Sequence, residues 1–382
     1  MTTTAIWPKV KLGDIGQSLI GLTYSPDNVK RSGTLVLRSS NIQDGDLSFD
    51  DNVYVDAPIP EKIRIRENDI LICVRNGSRR LIGKSVLLDY RVTGQTFGAF
   101  MAVFRSDSNP FLQYFFQSDD FRRQIDEHLG ATINQITNGS LNSFVIALPG
   151  EDAQQVITEY LQNVDRHIVA LKQLILKKQS IKHGVMQQLL TGKIRLPGFT
   201  NQWSSTTYGQ VVTMQRGSLF VGRDAIVGGT VPVIAAGKEP ASYTDRGNRI
   251  GPVITISASG ASAGYVAIHK SKIFASDCST ISSSPAYNLE FIYFSLLLLQ
   301  DQIYRAQTGG AQPHVHPKDI YPLHLQLPPS VAEQSAIAAV LTDAESEIKT
   351  LRRRLLKARE IKKGMMQQLL TGRTHLPAKV AL

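Results

Sequence analysis

The heptapeptide Met-Gln-Gln-Leu-Leu-Thr-Gly occurs twice in this 382-residue chain, at Met186–Gly192 and at Met366–Gly372. Both copies run on to Leu-Pro, at Leu196-Pro197 and Leu376-Pro377. The second copy begins at 366 against 186 for the first, and at that same offset of 180 residues Ile157, Leu161, Ile168, Leu171, Leu176, Lys177, Ile181, Lys182 and Gly184 recur identically upstream. Fainter echoes open each half (Trp7 before Gly13, Trp203 before Gly209) and close its first part (Gly130-Ala131 and Gly310-Ala311, then Leu148-Pro149 and Leu327-Pro328). A repeat written over this length dictates the architecture before any local propensity is weighed. The order is variable, helical, variable, helical, with boundaries at 1–150, 151–192, 193–330 and 331–382.

The helical segments carry their own period. Ile157, Leu161, Val164, Ile168, Leu171 and Ile175 alternate spacings of four and three, and Ile337, Leu341, Ala344, Ile348, Leu351 and Leu355 do the same. That is a heptad seam, which predicts two long helices that pair along their length, each stopped by the glycine after Gln-Gln-Leu-Leu-Thr. A helix of about 35 residues is about 50 Å long at 1.5 Å per residue. The short link after Gly192 brings the chain back without crossing that distance, so an antiparallel pair is expected, with pseudo-two-fold symmetry. The segments between the helices alternate β-branched stretches (LICVRN, VITISAS, YVAIHKSKIF) with Gly, Asn, Asp and Pro turns. Short helices are predicted near Phe111–Leu129 and Leu289–Ala306. The expected fold class is α+β: two compact α+β domains separated by two long helices that form an intramolecular antiparallel coiled coil.

This order is similar to that of the specificity subunits of type I restriction-modification systems. The residues that carry the resemblance are the paired Gln187–Gly192 and Gln367–Gly372 helix ends, LPPSVAEQSAIAAVL entering the second helix, and the opening WPKVKLGDIG followed by GLTYSPDNV. At the first helix LPGEDAQQVI stands where Leu-Pro-Pro with Glu-Gln is usual. The resemblance implies a DNA-specificity subunit that reads a bipartite site, one half-site per domain, with the coil as spacer. It also implies two methylating subunits and ATP-driven restriction subunits as partners. S-adenosylmethionine, ATP and Mg²⁺ are then expected on those partners and no cofactor on this chain.

Charge and composition fit a polyanionic partner. Lys plus Arg number 42 against 32 Asp plus Glu, a formal charge of +10, and each cation set against a phosphate releases a counterion. Two cysteines, Cys73 and Cys278, exclude a disulfide framework and a four-thiolate metal site. The longest apolar run, around Phe291–Leu299, is far short of the roughly 20 residues that span a bilayer, and the N-terminus lacks signal-peptide features. A cytoplasmic protein without membrane contact is the expectation.

Chemistry for catalysis is harder to find. The chain has neither Asn-Pro-Pro-Tyr nor Asp-Pro-Pro-Tyr and no Gly-rich cofactor turn, so the reading is a non-catalytic subunit. Asn76–Ser85 nearly spells a phosphate-binding loop, but has five residues between its glycines where four are needed and leads into a strand. Gly260–Gly264 fits a nucleophile elbow in letters, yet YVAIHKSKIF after it is strand-like. His314 and His316 would share one side of a strand, without a third metal ligand at a telling distance; no metal is assigned. The DNA-binding candidates, by loop position and residue type, are Tyr24, Ser25, Arg75, Asn76, Ser78, Arg79, Arg80 and Lys84 in the first domain. In the second they are Ser259, Ser262, Gln312 and His314. Arg meets guanine bidentately and Asn meets adenine, whereas Lys mostly meets phosphate. The basic run Arg352, Arg353, Arg354, Lys357, Arg359, Lys362 and Lys363 is a solvated face or a contact to DNA or a partner. A coiled-coil scaffold that does not read DNA, and a self-sufficient DNA-modifying enzyme, are the alternatives.

Overall fold

The computed structural model describes residues 7–129 and 134–373; the Gly130-Ala131 step and Leu376-Pro377 lie outside them. Its two long helices are Glu151–Leu190 and Val331–Leu369. The chain divides into two compact units, Met1–Ala170 with Leu355–Leu382, and Leu171–Arg354. Residues 151–170 and 355–369 of the long helices belong to the first unit, and 171–190 and 331–354 to the second.

In the first unit a four-stranded antiparallel sheet runs in the order Gln17–Ile20, Met101–Arg105, Ile70–Cys73, Ser85–Leu87. A second sheet sets Thr96–Phe97 parallel to Thr34–Leu37, followed by Tyr54–Val55 and Val29–Lys30. The expected helices are Asn109–Phe116 and Asp119–His128, the latter capped by the Ser118 hydroxyl. The second unit repeats the plan with unlike residues. Its main sheet is Gln215–Arg216, Cys278–Ser282, Val253–Ser257, Val266–His269. Phe274–Ala275 lies parallel to Val231–Ile234, and Leu289–Leu298 and Gln300–Arg305 are the paired helices. Fold class is thus α+β in both units.

The heptad seam is buried as its spacing requires. Ile157, Leu161, Ile168, Leu171 and Ile175 are buried, as are Ile337, Leu341, Ile348 and Leu351; Val164, Ala344 and Leu355 are half-buried, and Ala358 continues the seam. Within the first unit the start of one helix and the end of the other share a core, which joins Ile157 and Leu161 to Met366, Leu369 and Leu370. Within the second, Met186, Leu189 and Leu190 meet Ile337, Ala338 and Leu341. Each unit by itself therefore holds the helices antiparallel. Both helices stop at glycines with left-handed backbone, Gly192 (φ 71°) and Gly372 (φ 69°), a conformation in which any other side chain is strained.

The unusual Leu-Pro-Gly entry to the first helix leaves its cap unchanged. Gln154 donates to the Pro149 carbonyl at 2.9 Å and Gln334, 180 residues on, donates to Pro328 at 3.0 Å. A second repeated device sits one heptad beyond the predicted seam. Lys362 Nζ is 2.7 Å from Asp165 and 5.3 Å from the Tyr114 ring centre; Lys182 Nζ is 2.9 Å from Glu345 and 5.4 Å from the Phe294 ring centre. The lysine, the carboxylate and the ring each stand 180 residues from their counterpart, with Asp165 matching Glu345 and Tyr114 matching Phe294. A cation at a core position is tolerated because a carboxylate and a ring face replace its water. Of the basic run, Lys362, Lys363 (to Asp119, 3.0 Å) and Arg359 (to Asp44, 3.8 Å) are tied down within the first unit.

Cys73 and Cys278 are both fully buried, and burial pushes each thiol up to about 11 from the ordinary 9.0. The folded state then holds these protons more tightly than the unfolded one. Their contribution to stability is complete below pH 9 and is lost as pH rises towards about 11. We expect the urea midpoint to fall across that window, and to fall less in the Cys73→Val, Cys278→Val double variant. An equal fall in both would assign the effect to the buried tyrosines Tyr114, Tyr208 and Tyr293, whose hydroxyls burial also pushes up.

Candidate nucleic-acid interface

In the first unit the chain leaves strand Ile70–Cys73, forms a one-turn helix at Arg79–Leu81, and returns as Ser85–Leu87. Arg75 leaves this loop with its guanidinium 5.0 Å from the Phe100 ring centre. Both Val74 and Arg75 donate their backbone N–H to the Phe100 carbonyl at 3.1 Å. Asn76 accepts from the Ser78 amide at 3.0 Å and reaches the Ser39 hydroxyl at 3.4 Å; Lys84 Nζ reaches the Ser39 carbonyl at 3.4 Å. Tyr24, Arg38, Asp51, Arg75, Asn76 and Phe100 line one concavity of about 560 Å³. Arg38, held 2.8 Å from Asp51, and Phe100 were not singled out from the sequence. Nothing in their neighbourhood along the chain distinguishes them, because strand pairing alone brings them to Arg75.

The remaining candidates of this unit sit outside that concavity. Ser25 binds Asn28 through its amide and hydroxyl, at 3.0 and 3.1 Å. Arg79 Nη2 donates to the carbonyls of Asp126 and Leu129, at 3.2 and 3.4 Å, and lies 3.5 Å from the Asp126 carboxylate. It is thereby attached to the C-terminal end of helix Asp119–His128, where a cation is favoured by the helix dipole. Ser78 and Arg80 are exposed, and among the described residues no acceptor holds the Arg80 guanidinium.

In the second unit the loop after Val253–Ser257 makes a single turn at Gly260–Ser262 and returns as Val266–His269. Ser259 is buried and its hydroxyl donates to Asp277. It bridges His314, whose backbone pairs with Thr308 at 2.8 and 3.0 Å. The His314 and His316 rings stack 6.0 Å apart, and among the described residues no group of three metal-ligating side chains forms. Gln312 is exposed at the adjoining turn and Ser262 half-buried. The Gly260 amide donates to the Pro313 carbonyl at 2.9 Å, so the turn that carries Ser259 and Ser262 meets the segment that carries Gln312 and His314.

The two loops occupy the same position in the two units. The Gly83 amide donates to the Cys73 carbonyl and the Gly264 amide to the Ser257 carbonyl, each at 2.8 Å. Ile136 donates to Val74 at 2.8 Å, as Val315 donates to Ala258 at 3.0 Å. Arg75 pairs with Gln135 as Ser259 pairs with His314. Along the chain the two loops fall short of two different catalytic motifs, and both supply DNA-binding candidates. The loops differ in length, so no alignment of letters reveals that they correspond.

Residues 6–182 and 200–358 match the family model described as type I restriction modification DNA specificity domain. The StySPI specificity subunit of Salmonella potsdam is 28% identical over 224 residues, 54% of this chain and 48% of that protein. The EcoKI specificity subunit of Escherichia coli (strain K12) is 28% identical over 206 residues, 50% of this chain and 44% of that one. The chain therefore spans about half the length of the curated relatives it matches. The crystal structure of a type I restriction-modification S subunit from M. genitalium superimposes with a TM-score of 0.66 at 16% identity, over 97% of this chain and 98% of that one. A chain from a study of complex assembly and conformational transition of the type I R-M system gives 0.60 at 15% identity, over 97% and 99%. At that identity the likeness is one of fold.

Proposed function

Because the chain belongs to the type I restriction-modification DNA specificity family, we propose that it is the sequence-reading subunit of such a complex. It reads a bipartite double-stranded site, one half-site per unit, with the paired helices as spacer. The observation that carries this reading is the equivalent loop of the two units, held by matched backbone hydrogen bonds and furnished with unlike side chains. One frame with two chemistries suits one task performed on two different targets. The formal charge of +10 supplies the sequence-independent attraction to phosphates. The chain itself takes no catalytic part in this reading. Methyl transfer with S-adenosylmethionine, and the ATP- and Mg²⁺-dependent steps, belong to partner subunits.

The helices support two equivalent docking sites for the methylating subunits. Leu176 and Leu356 are 64% and 59% exposed, and Ile181 and Ile361 are each 49% exposed. These apolar side chains lie off the seam at matching repeat positions, one pair in each unit. A matched surface present twice takes two copies of one partner. Replacing Leu356 and Ile361 together by aspartate is expected to weaken one site about 100-fold or more, since each buried aliphatic side chain contributes about 1.5–3 kcal/mol. Sedimentation should then show one methylating subunit per chain where the parent binds two; loss of neither or of both would remove this assignment.

The experiment that tests the function is adenine-methylation mapping in cells expressing the chain with its methylating subunits, before and after residues 199–330 are exchanged for another such domain. A split motif that changes in one half only is expected. A motif that is not split, or that the exchange leaves untouched, overturns the reading.

A further inference from the structure

The same backbone frame carries opposite chemistry in the two units, and this points to the base each one reads. In the first unit Met101 faces Cys73 across the central strands; in the second Cys278 faces Ser257. Phe100 and Asp277 are the residues just before, and Arg75 and Ser259 lie two residues beyond on the facing strand. The hydrogen bonds agree, for Val74 N–H donates to the Phe100 carbonyl and Ala258 N–H to the Asp277 carbonyl, both at 3.1 Å. Arg75 over Phe100 therefore corresponds to Ser259 donating to Asp277.

The two pairs are electrical opposites. A guanidinium offers only donors, and the Phe100 face holds it without consuming any of them. A carboxylate offers only acceptors. The Ser259 hydroxyl occupies one oxygen of Asp277, and among the described residues no second side chain bonds that carboxylate. In the major groove a guanidinium matches the two acceptors of guanine, and a carboxylate matches the amino group of cytosine.

We propose that Arg75 and Asp277 are equivalent specificity determinants, Arg75 reading a guanine in one half-site and Asp277 the N4 amino group of a cytosine in the other. Ser259 is a positioning residue that aims the carboxylate. This rests on the reading that each unit reads one half-site.

The test is methylation mapping with the full chain and its methylating subunits, comparing the parent with Asp277→Asn, Arg75→Gln, Ser259→Ala and Ser259→Thr. Asp277→Asn keeps the shape and an acceptor for Ser259 but puts a donor where the amino group would lie. It should lower discrimination about tenfold or more at one cytosine-containing position of one half-site, with the other half-site unchanged. Arg75→Gln should do the same in the opposite half. Ser259→Ala should mimic Asp277→Asn at the same position, and Ser259→Thr, which keeps the hydroxyl, should restore it. A parental motif that is not split overturns both this inference and the reading it rests on. A split motif that Asp277→Asn and Arg75→Gln leave unchanged, or change at both halves alike, overturns the inference alone. If Asp277→Asn fails to fold, as thermal unfolding would show, Arg75→Gln in the other unit decides.

Discussion

Replacing Glu333 by alanine is expected to destabilise the second unit by about 3–5 kcal/mol, the range for removing one partner of a buried ion pair. Glu333 is 1% exposed in the first turn of the second long helix, where the helix dipole also favours a carboxylate. Arg195 grips it with both arms, Nε at 2.7 Å and Nη2 at 3.0 Å, and Trp203 Nε1 donates to it at 3.1 Å. Alanine would leave the guanidinium without its counter-charge and the indole N–H without an acceptor. Because Arg195 is 26% exposed and stacks on Trp203, part of the loss is recovered by water, which places the effect towards the lower end. Glu333→Gln keeps an acceptor for Trp203 and should cost less, about 1–2 kcal/mol. Urea unfolding of the three proteins checks the order; a change under about 1 kcal/mol for alanine would show that this pair does not hold the helix to its unit.

Gly217→Ala is the second change expected to be severe, and Gly21→Ala should match it in the other unit. An added Cβ at Gly217 would stand 2.0 Å from the Ser276 carbonyl oxygen, and at Gly21 it would stand 2.3 Å from those of Gly98 and Phe97. The obstacles are backbone atoms of a neighbouring segment, so no side chain can swing aside. Overpacking against such a wall is expected to cost about 3 kcal/mol, the upper part of the usual range. The two sites are equivalent by their hydrogen bonds, Leu22 N–H to Phe97 and Ser218 N–H to Ala275. The functional consequences should nonetheless be separate. Gly21 begins the segment that carries Tyr24, so its variant should blur one half-site in methylation mapping, and Gly217 the other. Both halves blurred by either variant would mean that the substitution unfolds the chain rather than displacing a reader.

Some features of this molecule were decided along the chain and are legible there. The long helices and their partnership follow from apolar residues every three or four positions, because a helix turns each of those side chains to one face and leaves little choice about which face is buried. The 180-residue offset showed that the same solution is built twice, down to the Gln154 and Gln334 caps. Lys182 and Lys362 recur in the sequence as well, Lys182 only as a repeat position and Lys362 within a basic run that reads as a solvated face or a contact to DNA or a partner. Only the fold sets Glu345 with Phe294 and Asp165 with Tyr114 around them, and those partners come from distant segments. Glu333 is a similar case without the symmetry: position 153 of the first helix is alanine, and in that unit Trp7 donates to the Leu369 carbonyl instead. The correspondence of Arg75 with Ser259, and of Phe100 with Asp277, was beyond the reach of the sequence. It exists through strand register, which pairs residues far apart in the chain, and the connecting loops of unequal length erase it from any residue-by-residue comparison. Periodicity is a local property and survives in a string of letters; which loop faces which strand is settled only when the sheets close.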